Sequence, residues 1–395
     1  MSIWGPLAER YETERPRKLL ALDGGGIRGI LTLEVLARIE SLLAEATGRG
    51  SAFRLCEFFD YIAGTSTGAI IAAGLACGMS VQELLIFYQQ TGPAMFDKAF
   101  LLRRIKALYK SEPLVEELRK TFSKQVDGKP QDLTLAPEDL RCLFLAVTRN
   151  VTTDSPWPIS SNPLARYNQR DRQDCNLQIP LWQLVRASTA APIFFPPEVL
   201  QWDPDDPSKT FVFVDGGVTP YNNPSFLLFR MATLAPYKLA WATGEKNLLL
   251  ISVGTGAAPT LDGDILSPQK NAVFNLAGLP GALMYGSLID QDINCRAVGR
   301  CVYGAPIDRE LGDLVPRDAA GVEIPLSRDL GRAFLYARYN AELTRAGLDA
   351  MGLSDVDPEQ VSKLDSVQYI PQLRRVGRKV GDEVRLEHFG TFVHG

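Results

Sequence analysis

The sequence predicts a three-layer α/β/α fold around a largely parallel central sheet, and three observations carry that prediction. First, two strand–loop–helix units follow each other near the start. LLALDGGGIRG leads into Ile30, Leu31, Leu33, Val35, Leu36, Ile39, Leu42 and Leu43, and FFDYIAG leads through GTSTG into AIIAAGLACG. Apolar residues at three- and four-residue spacing mark one buried helix face. Strands alternating with helices in this way pair in parallel, with helices covering both faces of the sheet. Second, RCLFLAVTRN (141–150), TFVFVDGG (210–217) and NLLLISVGTG (247–256) are apolar runs ending in polar or glycine residues. Loop chemistry is therefore expected at one sheet edge, outside the carboxyl ends of the strands. Third, 46% hydrophobic and 22% charged residues in a chain of 395 match ordinary globular usage. That length exceeds what one core usually supports, so a large domain with a sizeable appendage, or two unequal domains, is expected.

Taken in order, residues 1–17 are polar and look like an arm. The first strand runs from Leu19 to Leu22, and its helix ends near Gly48. PLVEELRKTF is a helix, and a proline-rich run follows around Pro156, Pro158 and Pro163. PLWQLVRASTAAPIFFPP is a helix that stops before Pro192. Its APIFFPP end is expected to pack between that helix and the next strand, the alternative being the border of an acyl-chain pocket. After about residue 260 the pattern weakens to a C-terminal helical region. It contains the glycine-interrupted, amphipathic FNLAGLPGALMYGSLIDQDINCRAVG and a helix over RDLGRAFLYARYNAELTRAGL (328–348).

Composition excludes several functions. A net charge of −4 argues against a dedicated nucleic-acid binder, so no DNA or RNA polymer is expected as a partner. The two histidines, His388 and His394, lie at the very end, which excludes a His-rich metal site. None of the six cysteines forms a CxxC pair, so Cys295 and Cys301 are expected to be inert thiols and the compartment a reducing cytoplasm. The opening residues show no export-signal pattern. The most membrane-like segment, Phe58 to Met79, has too short an apolar stretch to span about 30 Å of hydrocarbon. Arg103, Arg104, Lys106 and Lys110, like Arg374, Arg375, Arg378 and Lys379, are either solvated faces or contacts for anionic lipid headgroups.

Three motifs carry chemistry. Gly64-Thr65-Ser66-Thr67-Gly68 matches GxSxG, in which a serine sits on a tight strand-to-helix turn with its hydroxyl exposed. A serine merely capping the following helix would also fit. Asp23-Gly24-Gly25-Gly26-Ile27-Arg28-Gly29 has two readings. One is a dinucleotide loop, whose expected acidic partner is missing at the end of a second strand. The other is a row of amides at a helix start that stabilises developing negative charge. Asp215-Gly216-Gly217 ends an apolar strand and fits either an ordinary turn or a base with open space around it.

DGGGIRG, GTSTG and DGG in this order resemble the patatin-like phospholipase family of serine acyl hydrolases, over roughly residues 18–260. ISVGTG at 251–256 is similar as well. The resemblance implies a Ser–Asp dyad with no histidine and no cofactor or metal. By motif match Ser66 is the nucleophile on an elbow flanked by Gly64 and Gly68, and Asp215, followed by Gly216 and Gly217, is the base. Gly24, Gly25 and Gly26 supply oxyanion amides, with Arg28 and Gly29 completing the loop. The substrate implied is membrane phospholipid, met by a cytoplasmic protein that associates peripherally with the membrane when active. The layout also resembles bacterial anti-phage effectors of the family that cyclic nucleotides switch on. That makes residues 261–395 a candidate regulatory region and a homo-oligomer a candidate assembly. Two rivals remain: an α/β-hydrolase using Ser66, Asp215 and His388, and a non-catalytic nucleotide-binding module.

Overall fold

The computed structural model describes residues 2–96, 113–192, 195–203, 205–257, 272–307, 317–322, 324 and 331–393. One nine-stranded sheet organises the chain: β1 (Arg17–Leu22), β2 (Tyr61–Thr65), β3 (Leu143–Asn150), β4 (Ser155–Ser160), β5 (Glu198–Gln201), β6 (Thr210–Asp215), β7 (Leu248–Val253), β8 (Arg300–Tyr303) and β9 (Leu335–Tyr339). Strands β8, β9, β7, β1, β2 and β3 lie side by side in that order, all parallel. Every residue of β1 and β7 is buried, which is why Leu19–Leu22 and Leu248–Ile251 read as continuous apolar stretches rather than alternating ones.

Alternate residues of these strands feed two cores. Leu20, Leu22 and Ile62 pack with α1 (Gly29–Ala46), α2 (Thr67–Ala76) and α3 (Val81–Phe96). Leu19, Ala21, Tyr61 and Ala63 pack on the other face. After α4 (Leu181–Ser188), that second core receives Leu227 and Leu228 of α5 (Ser225–Thr233) and Cys295 of α6 (Ala272–Val298). The three-layer α/β/α expectation is borne out. Among the described residues no helix is long and apolar enough to cross a membrane.

The sheet changes direction at β3, and this positions the site. Thr65, the last residue of β2, is opposite Val147 of β3. One residue further, Thr148 is opposite Asp215, the last residue of β6, which runs antiparallel to β3. Val147 and Thr148 also pair with Pro158 and Trp157 of β4. A strand has only two edges, so β4 takes one, while β2 and β6 share the other end to end. The carboxyl ends of β2 and β6 therefore meet head-on against β3.

Two expectations are corrected. Residues 1–17 are not a free arm: Trp4, Leu7 and Tyr11 are buried in the second core, and Arg10 and Arg15 both bind the buried carboxylate of Asp60. The helix expected over 328–348 is not formed in its described part. Leu335–Tyr339 is a fully buried strand beside β7, and a short helix begins only at Arg345. Consecutive apolar residues suit a strand covered on both faces, and they mimic helical spacing when read alone. The chain beyond residue 260 thus extends the same sheet. It also packs its last long helix, α7 (Ile370–Gly381), against α1.

Candidate active site

The turn between β2 and α2 holds Ser66 at φ 54° and ψ −124°, outside the regions open to most side chains. Such a residue costs about 1–3 kcal/mol and persists only where its surroundings enforce it. Two glycines enforce it here. A Cβ at Gly64 would lie 2.1 Å from the Gly68 carbonyl oxygen, and one at Gly68 would lie 2.3 Å from that of Leu22. Strand, turn and helix can close this tightly only without side chains at both positions. The Ser66 amide donates to Ser188 Oγ at 3.0 Å, and Ser188 donates on to the Val147 carbonyl at 2.7 Å, tying the turn to β3.

Ser66 Oγ donates to Asp215 Oδ2 at 2.6 Å, and the other carboxylate oxygen accepts the Gly217 amide at 2.6 Å. The Asp215 amide donates to the Ala190 carbonyl. At Gly216 a Cβ would stand 2.2 Å from the Val147 carbonyl oxygen, so the strand end lies flat on β3. Burial pushes the Asp215 carboxyl up to about 6, against the pull of its Ser66 and Gly217 hydrogen bonds and of Arg186. A buried carboxylate of raised basicity, bonded to a serine hydroxyl, is equipped to take that hydroxyl's proton.

The glycine loop also lies beside Ser66, and its amides are not equivalent. Gly24 was expected to face the reacting ester, but its N–H is spent on the Asn222 carbonyl at 3.0 Å. The Arg28 amide bonds the Gly25 carbonyl and the Gly29 amide bonds the Gly26 carbonyl, so both residues close the loop on itself. The buried guanidinium of Arg28 also reaches the Gly25 carbonyl, and burial lowers its pKa to about 10. Among the described residues, the Gly25 and Gly26 amides have no acceptor. Both glycines border a cavity of about 220 Å³ together with Ser66, Asp215 and Gly217. Its other walls are largely apolar: Phe96, Pro192, Phe195, Val218, Met284 and Leu364. APIFFPP thus borders the cavity through Ala191, Pro192 and Phe195, the reading that the sequence ranked second. A larger cavity of about 580 Å³ beside Trp157 and Trp202 contains none of these groups.

Further residues surround the loop and the cavity. Thr255, in ISVGTG, donates to the Gly24 carbonyl at 2.8 Å and so fixes the loop. Arg338 of β9 makes a two-pronged ion pair with the fully buried Asp23, at 2.9 and 2.5 Å. Leu364 accepts the Ile27 amide, which brings the C-terminal segment to the cavity wall. His388 stacks on Tyr303 and hydrogen-bonds the Tyr339 hydroxyl at 2.8 Å. It is not among the residues that bond Asp215. His394 and the basic residues at 103–110 lie outside the described residues. Arg374 pairs with Glu34 and Arg375 with Asp355, and Arg378 lies 3.9 Å from Glu34, so three of the four residues of the C-terminal basic cluster already face a carboxylate of the chain.

The histidines give a direct discrimination. A His388→Ala, His394→Ala double variant should hydrolyse esters within about threefold of wild type, because the Ser66 hydroxyl already has a carboxylate partner. A loss of about a thousandfold, the scale of removing a triad member, would restore the α/β-hydrolase alternative.

Comparison with known proteins agrees with this geometry. The cGAMP-activated phospholipase of Vibrio cholerae is 34% identical over 255 residues, covering 60% of this chain and 64% of that protein. Patatin-17 of Solanum cardiophyllum and Patatin-T5 of Solanum tuberosum are each 27% identical over 259 residues, covering 62% of this chain and 61% of theirs. The chain therefore spans less than two thirds of each relative. The family model for patatin-like phospholipase matches residues 20–228, which include the glycine loop, the serine turn and the aspartate strand end, and the chain belongs to the patatin-like phospholipase family.

Proposed function

We propose that this protein is a lipid acyl hydrolase that cleaves fatty-acyl esters of membrane phospholipids through Ser66 and Asp215. The observation that carries the reading is the 2.6 Å hydrogen bond from a strained, elbow-mounted Ser66 to a buried carboxylate of raised pKa. Ser66 Oγ attacks the ester carbonyl as its proton passes to Asp215 Oδ2. The tetrahedral oxyanion is held by the Gly25 and Gly26 amides, and the acyl chain lies along the Phe195, Val218 and Met284 side of the cavity. When the intermediate collapses, Asp215 protonates the departing alkoxide. A water molecule then gives its proton to Asp215 and attacks the acyl-serine, and Asp215 returns the proton to Ser66 as the fatty acid leaves. No cofactor enters this cycle.

The finer part of the reading concerns control. Like its 34% identical, cGAMP-activated relative, the protein is proposed to be activated by a cyclic nucleotide; it is further proposed to act at the membrane surface and to serve antiviral defence. Residues 261–395 are proposed as the regulatory region and a homo-oligomer as the working assembly. Supporting this are Leu364 and Asp365, which bring the C-terminal segment to the border of the cavity itself. A ligand shifts such a system only by binding the active state more tightly than the resting one. The test is product analysis of defined phospholipids with wild type and Ser66→Ala, with and without a panel of cyclic di- and trinucleotides. Released fatty acid that depends on both Ser66 and one nucleotide is expected. High basal release that no nucleotide changes would remove the regulatory part and leave a constitutive hydrolase.

A further inference from the structure

The segment after Asp215 crosses the site and is anchored almost everywhere. The Tyr221 carbonyl accepts Thr65 Oγ1 at 2.7 Å, and the Asn222 carbonyl accepts the Gly24 amide at 3.0 Å. Asn223 Oδ1 accepts the Ser225 amide at 3.1 Å and Ser252 Oγ at 3.4 Å. Asn222 alone is different. The residue is 1% exposed, yet among the described residues neither Oδ1 nor Nδ2 has a hydrogen-bond partner. Leaving buried polar groups unpaired costs about 1–3 kcal/mol, so a folded chain rarely keeps a primary amide in this state without a use for it.

The position of that amide indicates the use. A Cβ on Gly24 would lie 2.3 Å from Asn222 Oδ1 and 3.3 Å from Ser66 Cβ, so the amide and the nucleophile flank one point that glycine leaves empty. A Cβ on Gly217 would lie 3.0 Å from both Asn222 Oδ1 and Asp215 Oδ1. Asn222 also borders the cavity with Ser66, Asp215 and Gly217. Since no hydrogen bond fixes either end, the amide is free to present its Nδ2 to an acceptor arriving there.

We infer that Asn222 is a further catalytic residue, a side-chain donor to the oxygen of the ester held at Ser66. It supplements the Gly25 and Gly26 amides as charge develops on that oxygen. The inference rests on the proposed acyl-hydrolase reading.

Its test exploits the opposite effects of the group on stability and on turnover. Asn222→Leu keeps the branched outline of the side chain and removes the orphaned polar atoms. Thermal melting of this variant should match or exceed wild type, while kcat on a soluble short-chain ester falls about 10²–10³-fold, the usual loss for one oxyanion donor. KM should move less than about threefold. Asn222→Ala, which crowds nothing, should show the same loss in kcat. A kcat within threefold of wild type in both variants overturns the assignment. So does a large drop in melting temperature in both, which would show that the amide is a structural support. Wild type and Ser66→Ala are run alongside. If wild type turns over no ester either alone or with the panel of cyclic nucleotides, the hydrolase reading itself fails. An active wild type with equally active Asn222 variants refutes only the role of Asn222.

Discussion

Ser66→Ala and Asp215→Ala should each lower ester turnover by about 10⁴-fold or more, and the double variant should be little worse than either. Groups that act as one unit give losses that do not add, and the 2.6 Å bond makes Ser66 and Asp215 such a unit. The accompanying pH dependence follows from the carboxyl being pushed up to about 6. Only the ionised carboxylate accepts the serine proton, so kcat/KM should rise with pH through about 6 and then level. Stability runs the other way. A carboxyl whose folded pKa lies above its ordinary value of 3.8 favours the fold most below that value, and the contribution is lost as pH rises through about 6. Asp215→Asn should therefore melt at or above the wild-type temperature at pH 8 while remaining inactive. Denaturation curves at pH 4 and pH 8 with steady-state kinetics check both halves. An Asp215→Ala variant with near-native turnover would exclude the dyad.

The parallel half of the sheet was legible because each central strand is a short apolar run followed by a glycine motif. β1, β2 and β7 are buried on both faces, and their identity depends little on distant contacts. β9 was misread for the complementary reason. Phe334, Leu335, Tyr336, Ala337 and Tyr339 are all buried, but the run carries no turn residue to separate it from the neighbouring helical pattern. Direction was hidden as well. TFVFVDGG reads the same in a parallel or an antiparallel strand, and only the overhang of β3 beyond β2 brings Asp215 down onto Ser66. Within the site, residues whose type announces chemistry were visible: a serine between glycines, an aspartate before glycines, a triple glycine. Which glycine amides remain unspent was not visible, because that depends on a carbonyl of Asn222 nearly 200 residues away in sequence. Ser188 was silent, and the bracing role of Thr255 within ISVGTG was not visible, since a hydroxyl that braces a backbone turn looks like any other loop polar residue.

The second large effect is expected at Arg338, far from Ser66 in sequence and absent from every motif. Its guanidinium holds both oxygens of Asp23, and one of its nitrogens also bonds Ser252 Oγ at 2.7 Å. Asp23 is 0% exposed and directly precedes the glycine loop. Burial pushes the Asp23 carboxyl up, and Arg338 is what opposes that push. Arg338→Ala removes the guanidinium that binds both carboxylate oxygens and leaves the buried charge without that partner, a change worth about 3–5 kcal/mol. In the variant the folded-state pKa of Asp23 should lie further above its unfolded value. The deficit should therefore be smallest in acid and grow as pH rises through that pKa. Replacing both partners with apolar or neutral groups, as in Asp23→Asn with Arg338→Met, should recover most of the stability, because no lone charge is left behind. Chemical denaturation of wild type and of both variants at pH 5 and pH 8 measures each step. Recovery of stability need not restore turnover, since Asp23 also sets where Gly24 and the two unspent amides begin. An Arg338→Ala protein as stable as wild type at both pH values would mean that β9 and the glycine loop are not energetically joined. The C-terminal strand would then be an attachment to the catalytic sheet rather than part of its support.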